Sequence, residues 1–219
     1  MEKIEQIVIL AAGGFPTHEV PLQALREADH VICCDSAWYD WRLHGGPGGK
    51  DMIVIGDGDS LSDAEIQALG DRWIYIGEQD YNDLHKAMAY AVRRFNPCHS
   101  RYTILGATGR REDHTIGNIS YLVTFAEEYP DLQVDMLTDY GRFTAFTGSR
   151  TFASFPRQQV SIFSLTPQHP VNGTGLRWPL DDFRALRWWN ATLNSALGTS
   201  FTLASEGWIV VFQTYAPKP

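Results

Sequence analysis

From Ile4 to about Thr147, short apolar runs alternate with stretches whose apolar residues recur every three or four positions. The runs are IVILAAG from Ile7, HVICCD from His30, DMIVIGD from Asp51, WIYIG from Trp73, RYTILGA from Arg101 and QVDMLTD from Gln133. Between them PLQALREA, LSDAEIQALG, NDLHKAMAYAVRRF and TIGNISYLVTFAEEY carry the spacing of helices lying on a sheet. That alternation predicts an α/β N-terminal domain with a mostly parallel sheet and crossover helices. After Thr147 the texture changes to β-branched and aromatic runs cut by Pro and Gly turns, TFASFPRQQVSIFSLTP, GTGLRWPL and SFTLASEGWIVVFQTY. These predict a C-terminal all-β domain, with the division placed at 1–147 and 148–219.

Composition narrows the class. With 219 residues, 44% hydrophobic and 20% charged, the chain has the make-up of a soluble globular protein. No apolar run approaches the ~20 residues of a membrane span, so no membrane partner is expected. The start, MEKIEQIVILAAGG, lacks the basic flank and cleavage site of a signal peptide and reads as the first strand. Three cysteines, two of them adjacent at Cys33 and Cys34, suit free thiols in a reducing cytoplasm better than a disulfide framework. The sequons at Asn172 and Asn190 are then chance matches. A formal net charge of -8 argues against nucleic acid as a partner, because phosphate backbones are gripped by dense Lys and Arg. An acidic protein that handles phosphates needs a metal cation between the two.

The chain offers places for one. In an open parallel sheet, loops at the carboxyl ends of the strands line the ligand crevice. Asp35 follows VICC, Asp57 and Asp59 follow IVIG, Asp113 lies in the loop after YTILG, and Asp83 opens the helix that begins NDLHKAM. Carboxylates gathered on one rim repel one another unless a cation compensates. Hard oxygen ligands in this number point to Mg²⁺, which binds through one or two carboxylates plus substrate phosphates. In GDGDS, Gly56 and Gly58 permit sharp turns, and the i, i+2 spacing lets Asp57 and Asp59 project to one side of an extended segment. A plainer reading makes the same residues a turn into the next helix, with Ser60 or Ser62 as N-cap.

Two further motifs favour the chemical reading. EQDYNDLHKA places Asp83 near a helix start with Lys86 a turn later, and LGATGRREDHTIGN joins a strand to a helix through a Gly-rich loop. The backbone N–H groups of that loop suit an anion, with Arg111 to neutralise it, while His114 reads as a structural hydrogen-bonding histidine.

With these motifs the chain resembles the bacterial-type thiamine pyrophosphokinases. GDGDS matches the family's Gly-Asp-x-Asp-Ser, EQDYNDLHKA its Asp-Gln-x-x-Thr-Asp-x-x-Lys-Ala, and GATGRREDHTIGN its Gly-x-x-Gly-Gly-Arg-x-Asp-His-x-x-x-Asn. The late stretches GLRWPL and NSALGTSFTLASEGWIVVF are similar to the family's second domain, so the resemblance spans nearly the whole chain. It implies a nucleotide-binding catalytic α/β domain, a β-sandwich thiamine-binding and dimerisation domain, and a homodimer with thiamine at the subunit interface. It also implies transfer of the β,γ-pyrophosphoryl group of the co-substrate ATP to the thiamine hydroxyl, giving thiamine diphosphate and AMP. Three positions depart from the pattern: Asn82 for Thr, Arg110 for the second Gly, and Leu193 before Asn194 where the family shows Ser-Asn.

The expected roles follow. Asp57, Asp59 and Asp83 hold Mg²⁺ and position phosphates, with Asp35 and Asp113 as further members of the acidic site. Gln79, Asn82, Lys86, Arg111 and Asn118 contact nucleotide or phosphate, with Gly106 and Gly109 in the phosphate loop, and Asn194 and Ser195 lie near the acceptor. Such a transfer depends mostly on positioning and on neutralising charge at the phosphate oxygens. Thiamine is an aromatic cation, so its pocket should offer π faces. Trp178, Trp188, Trp189 and Trp208 lie in the β domain, and most of them are expected in its core. Two rival readings stand beside this one. A strand followed by Asp-x-Asp also marks Mg²⁺-dependent phosphatases of the haloacid dehalogenase type, though there it follows the first strand. A non-catalytic thiamine or nucleotide sensor would need only some of the carboxylates.

Overall fold

Ile7 to Leu10 are all buried, so the first apolar run has no solvent face and forms an interior strand. The computed structural model describes residues 3–46 and 51–217, which leaves Met1 and Pro219, the outer ends of the two expected domains, outside the described residues. In chain order the first part contains β1 (Glu5–Leu10), α1 (Glu19–Glu27), β2 (His30–Cys34), α2 (Ala37–Leu43), β3 (Asp51–Gly56) and α3 (Asp63–Leu69). It continues with β4 (Trp73–Tyr75), α4 (Asp83–Arg94), β5 (Ser100–Leu105), α5 (Glu112–Glu128) and β6 (Val134–Leu137). The second part is all strand: β7 (Gly141–Ala153), β8 (Gln158–Ser164), β9 (Val171–Thr174), β10 (Leu180–Phe183), β11 (Asn194–Ser195) and β12 (Ser200–Pro217).

The chain separates into two units, one ending at Asp139 and the other beginning at Tyr140. This lies ahead of the division expected at 147/148. The reason is continuity: β7 runs unbroken through that point, so a cut there would sever one strand.

In the first unit the strand order is β6-β5-β1-β2-β3-β4, and every pairing is parallel. The chain works outward from β1 to β4, then returns through α4, which packs on β1, β2 and β3, and adds β5 and β6 on the other side. Neighbouring strands β1 and β5 therefore send their following loops in opposite directions, which opens a crevice at their carboxyl ends. The helices start where the chemistry of their first residues allows. Ser62 and Glu65 form a reciprocal capping box at α3, settling the N-cap on Ser62. Asn82 caps α4 by accepting from the backbone N–H of His85. Helix α2 was not anticipated: it has only seven residues, AWYDWRL, three of them aromatic and poor helix formers. Tertiary packing makes it helical, since Ala37 and Trp41, one turn apart, are buried in the core beside Val31, Cys33 and Leu61.

In the second unit β12 is the organiser. Its first half pairs with β7 on one side and β9 on the other, and its second half pairs with β7 and β8, with the register broken between Ser205 and Ile209. β10 joins β9 and β11 joins β8, all antiparallel. Alternate residues of β8 are buried, as one covered face requires. The apolar side chains of both halves, among them Val160, Ile162, Leu203 and Val211, share one core.

Candidate active site

Two strand ends, those of β2 and β3, build the acidic cluster. The parallel register pairs Cys34 with Ile55, so the residues that follow, Asp35 and Gly56, leave the sheet side by side. Gly56 is required there: a Cβ on it would lie 2.8 Å from the Cβ and 2.9 Å from Oδ1 of Asp35. Asp35 adopts φ 38°, a left-handed conformation that Asp tolerates better than most residues. Candidate ligand oxygens of Asp35, Asp57 and Asp59 all lie within 4.8 Å of one another. Asp35 is only 4% exposed, and its Oδ1 has no hydrogen-bond partner among the described residues.

The surroundings set the charge of each group. Burial pushes the Asp35 carboxyl above the usual carboxylate range, the Ser60 hydroxyl opposes this, and the carboxylates of Asp83, Asp59 and Asp57 add to it. Asp57 is held below that range, first by the side-chain amide of Gln79, which donates to its Oδ2 at 2.9 Å, and then by the backbone N–H of Asp59. Asp59 is exposed and accepts from the Ser60 hydroxyl at 2.8 Å. Burial also raises Asp83, against the Lys86 ammonium 3.3 Å away.

The cluster opens on a cavity of about 530 Å³, within the range that small ligands occupy. Asp35, Asp59, Asn82, Asp83, Arg111 and Asn118 all line it. Its far wall is a pair of interlocked loops, in which the N–H of Gly13 donates to the Gly106 carbonyl at 2.6 Å and that of Gly14 to the Thr108 carbonyl at 2.6 Å. Gly106 has φ 63°, and a Cβ on it would stand 2.5 Å from the carbonyl oxygen of Ala11. Asn118, buried on α5, donates to the Ala107 carbonyl at 2.9 Å and accepts from the Asn82 side chain at 3.2 Å, bracing α5 against the start of α4.

Several residues fall elsewhere. Among the tightly clustered oxygens the third carboxylate is Asp35, where Asp83 was expected; Asp83 instead pairs with Lys86, whose side chain is 4% exposed. Asp113 does not line the cavity. It is exposed and bound to Arg111, whose guanidinium holds it down to about 2. His114, expected as a structural histidine, is exposed and lines the cavity with Thr115. Arg111, His114, Thr115 and Asn118 stand at i, i+3, i+4 and i+7 of one helix face, a signal already present in the sequence. The walls formed by Ala11 to Gly13 and by Ser36 went unread, because a single apolar run followed by Gly does not announce a ligand loop.

Asn194 and Ser195 belong to the second unit. Asn194 is buried, donates to the Trp178 carbonyl at 2.8 Å and accepts from the N–H groups of Trp178 and Ser195, so its amide is committed to backbone. The expectation that most of the four tryptophans fill the core is overturned. Trp178, Trp188 and Trp189 are 50%, 52% and 72% exposed, because they sit on the connections between strands rather than on the inward faces.

Residues 22–134 match the family model of the thiamin pyrophosphokinase catalytic domain, and residues 141–212 match that of the thiamin pyrophosphokinase substrate-binding domain. The α/β unit with its acidic crevice, together with the β unit that follows it in the chain, thus defines a two-domain phosphotransferase. The chain belongs to the thiamin pyrophosphokinase family, whose class is ATP-dependent thiamine diphosphokinase. Its fold is similar to that of a thiamin pyrophosphokinase from Candida albicans, with TM-score 0.78 at 15% identity over 98% of this chain and 94% of the other. A thiamin pyrophosphokinase family protein from Enterococcus faecalis gives TM-score 0.75 at 21% identity over 97% and 100%. A thiamine pyrophosphokinase from Bacillus subtilis gives 0.74 at 17% identity over 95% and 98%. No curated protein matches the sequence directly. No helix among the described residues is long and apolar enough to cross a membrane.

Proposed function

We propose that this chain moves the β,γ-pyrophosphoryl group of ATP to the hydroxyl of thiamine on the rim built by Asp35, Asp57 and Asp59. The observation that carries the assignment is the buried, unpartnered Oδ1 of Asp35 within 4.8 Å of two further carboxylates. A buried anionic oxygen without a donor is costly, and a hard divalent cation is the partner that resolves it. Three carboxylates therefore fit Mg²⁺, which when bound neutralises charge on the phosphate oxygens. Asp83, set to one side with Lys86, completes the acidic wall.

The remaining residues bind and orient. The nucleotide occupies the cavity between the Gly13 and Gly106 loops, where the start of α5 and Arg111 offer N–H groups and positive charge to its phosphates. Gln79 holds the Asp57 carboxylate in place, and Asn82 and Asn118 fix the spacing of the two helices that flank the phosphates. The hydroxyl oxygen of thiamine forms a bond to the β-phosphorus while the bond from that phosphorus to the α,β-bridging oxygen breaks. AMP leaves, and the hydroxyl proton is lost.

The β unit, read here as the family's sandwich domain, presents exposed tryptophan faces suited to an aromatic cation. The working form is a cytoplasmic homodimer in which thiamine lies between subunits. Its support is the family membership, and neither the phosphatase nor the sensor reading gains support from the family matches.

The test incubates the purified protein, its mass taken by light scattering, with ATP, Mg²⁺ and thiamine and identifies the products by mass spectrometry. A dimer yielding AMP and thiamine diphosphate in equal amounts is expected. ADP or free phosphate without thiamine diphosphate overturns the assignment, and a fully active monomer overturns the interface site.

A further inference from the structure

Two adjacent side chains of α2 bond to residues that line the cavity. The Tyr39 hydroxyl lies 3.0 Å from the Ser60 carbonyl oxygen and 2.8 Å from Oε2 of Glu65, so one phenol ties α2 to the Asp57–Ser60 loop and to the capping box of α3. Asp40 Oδ2 accepts from Nη2 of Arg110 at 2.8 Å, while Nη1 of the same guanidinium donates to the Ala12 carbonyl at 3.1 Å. His44, just past the helix, stacks on Phe15 at 4.0 Å with the rings 6° apart. The opposite face of α2 is anchored in the core by Ala37 and Trp41. A helix fixed beneath and bonded outward to three loops sets where those loops stand.

The contacts fall on the groups the chemistry needs. Ser60, whose carbonyl faces Tyr39, also carries the hydroxyl that serves Asp59 and Asp35. Arg110 lines the cavity as a cation, and Asp40, whose side chain is only 18% exposed, orients it. Ion pairs on open surface contribute little, but a guanidinium steered into a ligand cavity acts through geometry.

We infer that α2 is a positioning strut in which Tyr39 sets the carboxylate loop and Asp40 sets Arg110 in the cavity lining. This rests on the nucleotide and Mg²⁺ reading above. Neither residue touches the reacting atoms, so both are positioning residues. The two arms separate the effects: Tyr39 governs the cation and Asp40 the nucleotide.

The experiment compares wild type with Tyr39→Phe, Asp40→Ala and Asp40→Asn. For Tyr39→Phe the Mg²⁺ concentration giving half-maximal turnover is expected to rise about tenfold, with KM for ATP at saturating Mg²⁺ unchanged. For Asp40→Ala the KM for ATP is expected to rise about tenfold with kcat kept within about twofold, the scale of one charge-assisted hydrogen bond. Asp40→Asn, which keeps an acceptor, should fall between Asp40→Ala and wild type. Calorimetric titrations of each protein with Mg²⁺ alone and with ATP alone repeat the comparison without turnover. A wild type that makes no thiamine diphosphate would refute the proposed function, while these binding constants would still decide the strut. Variants whose constants stay at wild-type values, or that lose Mg²⁺ and ATP affinity together along with melting temperature, would overturn it.

Discussion

Asp59→Asn is expected to lose at least about 100-fold in turnover while unfolding at the wild-type midpoint. The two halves of that expectation have separate causes. Asp59 is exposed, and the Ser60 hydroxyl that donates to its carboxylate can donate to an amide oxygen equally well. Surface substitutions of this kind shift stability by about 0.5 kcal/mol or less. What the substitution removes is one negative charge from the group of three proposed to hold a divalent cation, and deleting one strong electrostatic contributor typically costs on the order of 100- to 1,000-fold. The check is kcat together with a thermal melt of the same sample. Activity near the native level would take Asp59 out of the site.

Asp35→Asn is expected to abolish turnover to a similar degree and, at neutral pH without divalent cation, to raise the melting temperature. Asp35 is buried at φ 38°, beside two other carboxylates and with one oxygen unpartnered, so its charge opposes folding. Asn keeps the shape, tolerates the same backbone, and removes the charge. In a chain of this length each kcal/mol relieved raises the midpoint by about 2–4 °C. The second sign of the role is the response to cation. Added Mg²⁺ should stabilise wild type by mass action and leave Asp35→Asn nearly unmoved. A variant less stable than wild type that still responds to Mg²⁺ would make Asp35 a structural residue.

The architecture was legible where the local pattern was strong. Six apolar runs became six parallel strands, and α1, α3, α4 and α5 lie where their apolar periodicity places them. Helix α2 escaped because its seven residues are helical by packing of Ala37 and Trp41, which no local propensity records. The second compact unit begins ahead of 147/148 because β7, a single strand of 13 residues, starts at Gly141, before the β-rich texture is apparent.

The site divides in the same way. Asp57 and Asp59 are read from spacing within one motif, but Asp35 joins them only through the β2–β3 register, a contact between residues twenty or so positions apart. Asp83 was the more visible choice because it opens a helix beside a lysine, and the structure places that lysine on it. Asn194 drew notice from its place in the stretch similar to the family's second domain, whereas its burial against the Trp178 backbone is a tertiary fact.

The central claim is that Asp35, Asp57 and Asp59 act together as one cation-holding unit. The most direct measurement titrates nucleotide-free protein with Mn²⁺, which shares the octahedral oxygen preference of Mg²⁺, and follows free ion by electron paramagnetic resonance in wild type and Asp57→Asn. Saturable binding in wild type that weakens tenfold or more in Asp57→Asn is the predicted result. Equal binding by the two proteins would contradict it.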